Sequence, residues 1–239
     1  MKKLQAIITD YDGTLVDSLS DQFAWFRHIT GLFGLEFKYS QGELSKFKED
    51  YSPRIIDNYW DFYEFLGFES DKNTKAIIWK EYDKWKQKSS VKVIKGMPEI
   101  IEILREDYGI GSKKEEPLLL ALNTSNSLIA LSPLSRAGCL KYFNLIVTKD
   151  DLPEVNGKKR LKPDPYSIEL CIKLLGVDPE RTLHLGDTMS DITACKKTGV
   201  KTLHFTWEAS YDPEWMIKEK PDFTASSPEE ALDIIITLL

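Results

Sequence analysis

The sequence predicts an α/β protein: a Rossmann-like three-layer core with a parallel sheet, interrupted early by an inserted all-helical domain. Three observations carry that prediction. An apolar run near the N-terminus (Leu4, Ala6, Ile7, Ile8) stops at two carboxylates, Asp10 and Asp12. From Leu19 to about Ser90 aromatic and charged residues dominate, with apolar side chains at helical spacing. Beyond Ser90 short apolar runs alternate with helical patterns, which indicates parallel strands joined by helices, with ligands expected at the strands' carboxyl ends. The core is therefore expected over residues 1–16 and 91–239, and the helical insertion over 17–90.

The elements follow in chain order. The first strand ends at Asp10-Tyr11-Asp12, and Gly13 permits a tight turn toward a helix. Leu19, Phe23, Phe26 and Phe33 form one helical stripe, flanked by Trp25 and Ile29. Ser40-Gln41-Gly42-Glu43 has the spacing of a capping box and opens a second helix. Ile55, Tyr59, Phe62 and Leu66 predict a third over Pro53 to Leu66, and Ile78, Tyr82 and Trp85 a fourth. These aromatic stripes read as packing, and the lysines between Lys72 and Lys95 as a solvated face or an attraction for an anion.

Val91 to Ile94 leads to Gly96, and Pro98 opens a helix carrying Ile100, Ile101, Ile103 and Leu104. Gly111 to Pro117 reads as an exposed loop. Leu118–Leu122, Phe143–Val147, Thr182–Leu185 and Val200–Phe205 are apolar runs of the kind found in strands buried on both faces. Asp164-Pro165 and Ser227-Pro228 resemble N-caps followed by Pro at the first helical position. Lys158 and Lys159 read as a solvated loop.

The chain has 239 residues, 42% apolar and 29% charged, enough for one large core or two modest ones. A net charge of −6 and a pI near 5.3 argue against general nucleic-acid binding, which rests on neutralising phosphates. No apolar run approaches the ~20 residues of a membrane span, and Met1-Lys2-Lys3 leads straight into a strand. Three widely spaced cysteines, Cys139, Cys171 and Cys195, fit reduced thiols in a cytoplasm.

Two carboxylates one residue apart repel unless a proton or cation lies between them. Taken alone, Asp10 and Asp12 also fit a solvated strand end. D-Y-D-G-T-L-V-D-S, Asp10 to Ser18, closely resembles motif I of the haloacid dehalogenase superfamily, whose phosphatases form an aspartyl-phosphate. Three further segments resemble the family's later motifs, in its order. Asn123-Thr124-Ser125-Asn126 closes an apolar strand with a hydroxyl, Thr124 or, one residue on, Ser125, that can hold phosphate oxygens together with backbone N–H groups. Lys162-Pro163-Asp164-Pro165 supplies an ammonium that offsets phosphoryl charge. Gly186-Asp187-Thr188-Met189-Ser190-Asp191 places two acids one helical turn apart, a spacing that can hold a hard cation directly or through water.

The resemblance covers essentially the whole chain, with an insertion like the family's C1-type cap and a layout like its phosphoglycolate phosphatase branch. It implies a phosphatase in which Asp10 attacks phosphorus and Asp12 serves as acid and then base. It also implies Mg2+ between Asp10 and Asp187, with the Asp12 backbone carbonyl as a further ligand and Asp191 nearby. A small phosphorylated metabolite is the expected partner, with no nucleic acid and no membrane, for a monomer or homodimer. Phosphoglucomutase-like transfer, phosphonate hydrolysis through a cap lysine, and a non-catalytic phosphate-binding role share much of this constellation.

Overall fold

The computed structural model describes residues 3–55, 59–88, 91–109, 117–207 and 220–239. β1 (Ala6–Thr9) is buried along its whole length. The chain then leaves the sheet for α1 (Ser18–Leu32), α2 (Leu44–Ile55), α3 (Trp60–Phe65) and α4 (Lys72–Lys88). It returns through α5 (Met97–Tyr108), β2 (Leu119–Asn123), α6 (Ser132–Arg136), β3 (Leu145–Val147), β4 (Glu154–Val155) and β5 (Lys158–Lys159). α7 (Tyr166–Leu175), β6 (Thr182–Gly186), α8 (Met189–Lys196), β7 (Lys201–Phe205), β8 (Phe223–Ala225) and α9 (Pro228–Leu238) complete it.

Six strands form one parallel sheet in the order β3-β2-β1-β6-β7-β8. That order reverses direction beside β1, and the crevice at such a reversal is where open α/β sheets bind ligands. Side-chain alternation splits the core into two layers. Ile7, Leu120, Leu122, Leu183, Leu185 and Leu203 face α5 and α9, whereas Ile8, Ala121 and Val147 face α7 and α8. A separate aromatic cluster joins α1 through α4, including Trp25, Phe26, Phe47, Phe62 and Tyr63.

Several local expectations change. The helix expected over Pro53–Leu66 is divided between the end of α2 and a separate α3, with residues 56–58 outside the described residues. α2 runs on through Pro53 with Phe47 and Tyr51, one turn apart and stacked at 5.1 Å, on its buried face. Glu43 accepts from the Ser40 N–H at 2.8 Å, so the expected box supplies this bond and α2 opens at Leu44. Val91 to Ile94 stays out of the sheet: Val93 bridges Val16, and Asp17 donates its N–H to Lys92, fastening both ends of the insertion together. Lys158 and Lys159 are not loop but the second strand of a hairpin. Its turn, Asn156-Gly157, has φ of 52° and 76°, the left-handed pair that Asn-Gly favours. β8 was not expected, being three residues with no strong apolar pattern. Asp164 caps α7 by accepting from Tyr166 N–H, and Ser227 caps α9 as expected. The loop expected over Gly111–Pro117 lies outside the described residues except for Pro117.

Candidate active site

Asp10 follows β1 directly, its N–H continuing the parallel ladder to Leu185. Its carboxylate accepts a 2.5 Å bond from the Lys162 ammonium. The strand does not continue to Asp12, so the two acids do not share a strand face. Gly13, at φ 70°, turns the chain, and Asp12 acquires separate partners. One oxygen accepts from Ser18 Oγ at 2.5 Å, and the other from the Asn126 side-chain amide.

Lys162 binds three acceptors: Asp10, Asp191 at 2.6 Å and the Asn123 carbonyl at 3.3 Å. An ammonium has three N–H bonds, so this one is fully engaged. Asp191 sits at the third position of α8, where its other oxygen accepts from the Thr188 N–H and hydroxyl. Gly186 is needed for close approach. A Cβ there would lie 2.6 Å from Asp191 Cγ. Asp187 is fully buried and accepts from Thr14 Oγ1 at 3.4 Å. Thr124 is buried, with its hydroxyl accepting from Asn126 N–H, whereas Ser125 is exposed.

Burial pushes the Asp10 carboxyl up to about 7, against the opposing pull of Lys162. Burial raises Asp12 as well. It works against the charge on Lys162 too, but Asp10 and Asp191 outweigh it and keep the ammonium protonated. Burial also opposes ionisation of Asp191, yet Lys162 and its other partners hold that carboxyl below its ordinary value. His184, whose ring lies 3.7 Å from Asp191, is lowered by burial to about 4 and stays neutral.

Oxygens of Asp10, Asp187 and Asp191 lie within 4.8 Å of one another, and all three residues are buried. Three carboxylates against one ammonium leave excess negative charge, and an all-oxygen set suits a hard cation such as Mg2+. The residues therefore fit the expected ion. The Asp12 side chain lies outside this group.

Every candidate from the sequence thus lies at the carboxyl edge of the sheet or just past it. Ser18 and Asn126 had no expected role, although both lie inside the quoted motifs. A third unexpected feature comes from the insertion. Lys86 donates to Asp21 at 2.7 Å in a pair with side chains only 7% and 6% exposed. Nothing local distinguished Lys86 from the other lysines of α4.

The chain is similar to known proteins over nearly its whole length. A phosphoglycolate phosphatase of Aquifex aeolicus is 28% identical over 234 residues, spanning 97% of this chain and 97% of that protein. Pyrophosphatase PpaX of Bacillus velezensis is 26% identical over 232 residues, spanning 92% of this chain and 95% of its own. The fold is similar to that of CbbY from Rhodobacter sphaeroides, solved with phosphate, at a TM-score of 0.65 and 19% identity over 95% of this chain and 96% of that one. The family model for haloacid dehalogenase-like hydrolases matches residues 7–205. That match runs from within β1, just before Asp10, to the last residue of β7, and the protein belongs to the haloacid dehalogenase-like hydrolases.

Proposed function

We propose that this hydrolase is a Mg2+-dependent phosphatase acting on a small phosphorylated metabolite through an aspartyl-phosphate. The observation that carries the reading is the separation of Asp10 and Asp12 into different environments. Asp10 lies against a fixed ammonium, and Asp12 between a hydroxyl and an amide. Two carboxylates in unlike surroundings can divide nucleophilic and acid–base work.

In the first step an Asp10 oxygen attacks phosphorus and the bond to the leaving oxygen breaks, while Asp12 donates the proton that makes an alcohol. Burial favours the protonated Asp12 that this needs. In the second step Asp12 takes a proton from water as it attacks the aspartyl-phosphate, releasing phosphate and restoring Asp10. Lys162 offsets the charge of Asp10 and the phosphoryl group. Thr124, with Ser125 beside it, binds phosphoryl oxygens. Asp10, Asp187 and Asp191 would hold Mg2+, which neutralises phosphoryl charge when bound. Residues 17–90 act as a cap that excludes bulk water.

Phosphonate hydrolysis would need a neutral cap amine for a Schiff base. Lys86 is a buried cap lysine, and although burial opposes its charge, the acidic groups around it keep it protonated. That argues for the ester.

The test is p-nitrophenyl phosphate hydrolysis with and without Mg2+, using wild type and Asp10→Asn. Metal-dependent phosphate release that vanishes in the variant supports the reading; full activity in metal-replete Asp10→Asn rules out this nucleophile.

A further inference from the structure

We infer that Trp207 is a positioning residue of the active site: its indole N–H fixes the turn that carries Asp12, and so sets how well Asp12 transfers protons. The inference rests on the phosphatase reading and adds to it a side chain from beyond the far end of β7.

Placement comes first. Trp207 stands two residues past β7, and β6 separates β7 from β1 in the sheet. Neighbouring strands lie about 4.8 Å apart, so a side chain there has roughly 10 Å to cross before it meets the chain leaving β1. The indole makes that crossing and donates from Nε1 to the Gly13 carbonyl at 2.8 Å. Its own position is secured on both sides. The ring stacks on the fully buried Phe205 at 3.9 Å and 27°, and the preceding Thr206 donates its N–H to Ala225 on β8.

Bonding comes second. With φ at 70° and no side chain, Gly13 has wide backbone freedom of its own, and it is here that the turn needs a restraint. Its N–H donates to the Val16 carbonyl and its own carbonyl accepts from Trp207, so the turn is held at both ends of this residue. Asp12 comes just before it, and Thr14, whose hydroxyl reaches Asp187, just after. Ser18 and Asn126 orient Asp12 at its carboxylate, whereas Trp207 acts on the backbone that carries it. Burial alone does not require the bond, since water could satisfy the N–H of a half-buried indole.

The experiment replaces Trp207 by Phe, which keeps a ring on Phe205 and removes the donor. Two esters are compared: glycerol phosphate, whose alkoxide leaves poorly without a proton, and p-nitrophenyl phosphate, whose phenolate leaves readily. Trp207→Phe should lower kcat on the alkyl ester about tenfold and on the aryl ester less than about twofold, with KM unchanged on both. Phe205→Leu loosens the platform under the indole and should give a smaller loss with the same bias. An equal loss on both esters, a change in KM alone, or no loss overturns the inference, because support of the fold has no preference among leaving groups. Amide exchange followed by NMR reads the turn without turnover. In Trp207→Phe the Gly13, Leu15 and Val16 amides should exchange roughly tenfold faster, with β1 and β6 unchanged. Unchanged exchange at the turn, or equal acceleration across the sheet, also overturns the inference. Should Trp207→Phe not fold, Phe205→Leu carries both measurements. If wild type hydrolyses neither ester, the phosphatase reading falls, and the exchange at these three amides alone still decides whether Trp207 holds the turn.

Discussion

The core and the insertion each bury a lysine against an aspartate, and they do so differently. Lys162 is held by two carboxylates and a carbonyl from separate core elements. Among the described residues Lys86 bonds to one carboxylate, Asp21 on the neighbouring α1. The surrounding packing differs in the same sense. The core fills the two faces of a parallel sheet with Ile, Leu and Val, while the insertion relies on rings, such as Phe26 against Phe62 at 4.8 Å and 78°. Short helices around a small core need bulky side chains to bury enough area. The difference teaches how each region packs: the core spreads aliphatic side chains over two sheet faces, and the smaller aromatic cluster holds together apart from it.

The comparison can be broken at several points. Removing the core ammonium should have the largest effect. Lys162→Met is expected to lower kcat/KM about a thousandfold on every ester, whatever the leaving group. Steady-state kinetics over a set of phosphate esters with different leaving groups checks this, and a loss confined to one kind of leaving group would contradict it.

A smaller and more selective loss is expected at the contact with Asp12. Asn126→Ala should slow alkyl phosphates roughly 10–100-fold and p-nitrophenyl phosphate only a few-fold. A good leaving group gains little from protonation. Equal losses would mean that Asn126 serves the fold and not the acid.

Phe62→Ala tests the separateness of the aromatic cluster. Truncating this buried ring should cost about 3–5 kcal/mol. Hydrogen exchange should show faster opening over 18–88 with β1, β2, β6 and β7 unchanged. Uniform acceleration would show one cooperative unit instead of two.

The mildest test concerns pH. The folded Asp10 carboxyl is raised to about 7 from 3.8, so between those values the folded metal-free protein holds a proton that the unfolded chain has released. Stability should therefore fall as pH climbs from about 4 to about 7. Asp10→Asn cannot ionise and should lose that slope, so in EDTA its Tm should exceed that of wild type by several degrees at pH 8 and by little at pH 4. Parallel profiles would contradict the buried, raised carboxyl.

Among the described residues no helix is long and apolar enough to cross a membrane. The strands that hold the site were legible because burial on both faces of a parallel sheet demands largely apolar runs, as in Leu120–Leu122 and, around the buried His184, Thr182–Leu185. Asp10 and Asp187 stand in motifs just beyond such a run, and Lys162 stands in one that precedes α7. The Asn156-Gly157 hairpin could have been found from its turn dipeptide; β8 had no comparable signal.

By itself, then, the sequence determined the alternation of elements, the aromatic insertion and the residues gathered at the carboxyl edge of the sheet, since periodicity and local turn chemistry are properties of neighbours along the chain. Only the tertiary structure decided that Gly186 makes room for Asp191, that Ser18 and Asn126 hold Asp12, and that one lysine among many is buried on Asp21. Those facts depend on groups 5 to 114 positions apart meeting in space, and no local pattern encodes such a meeting.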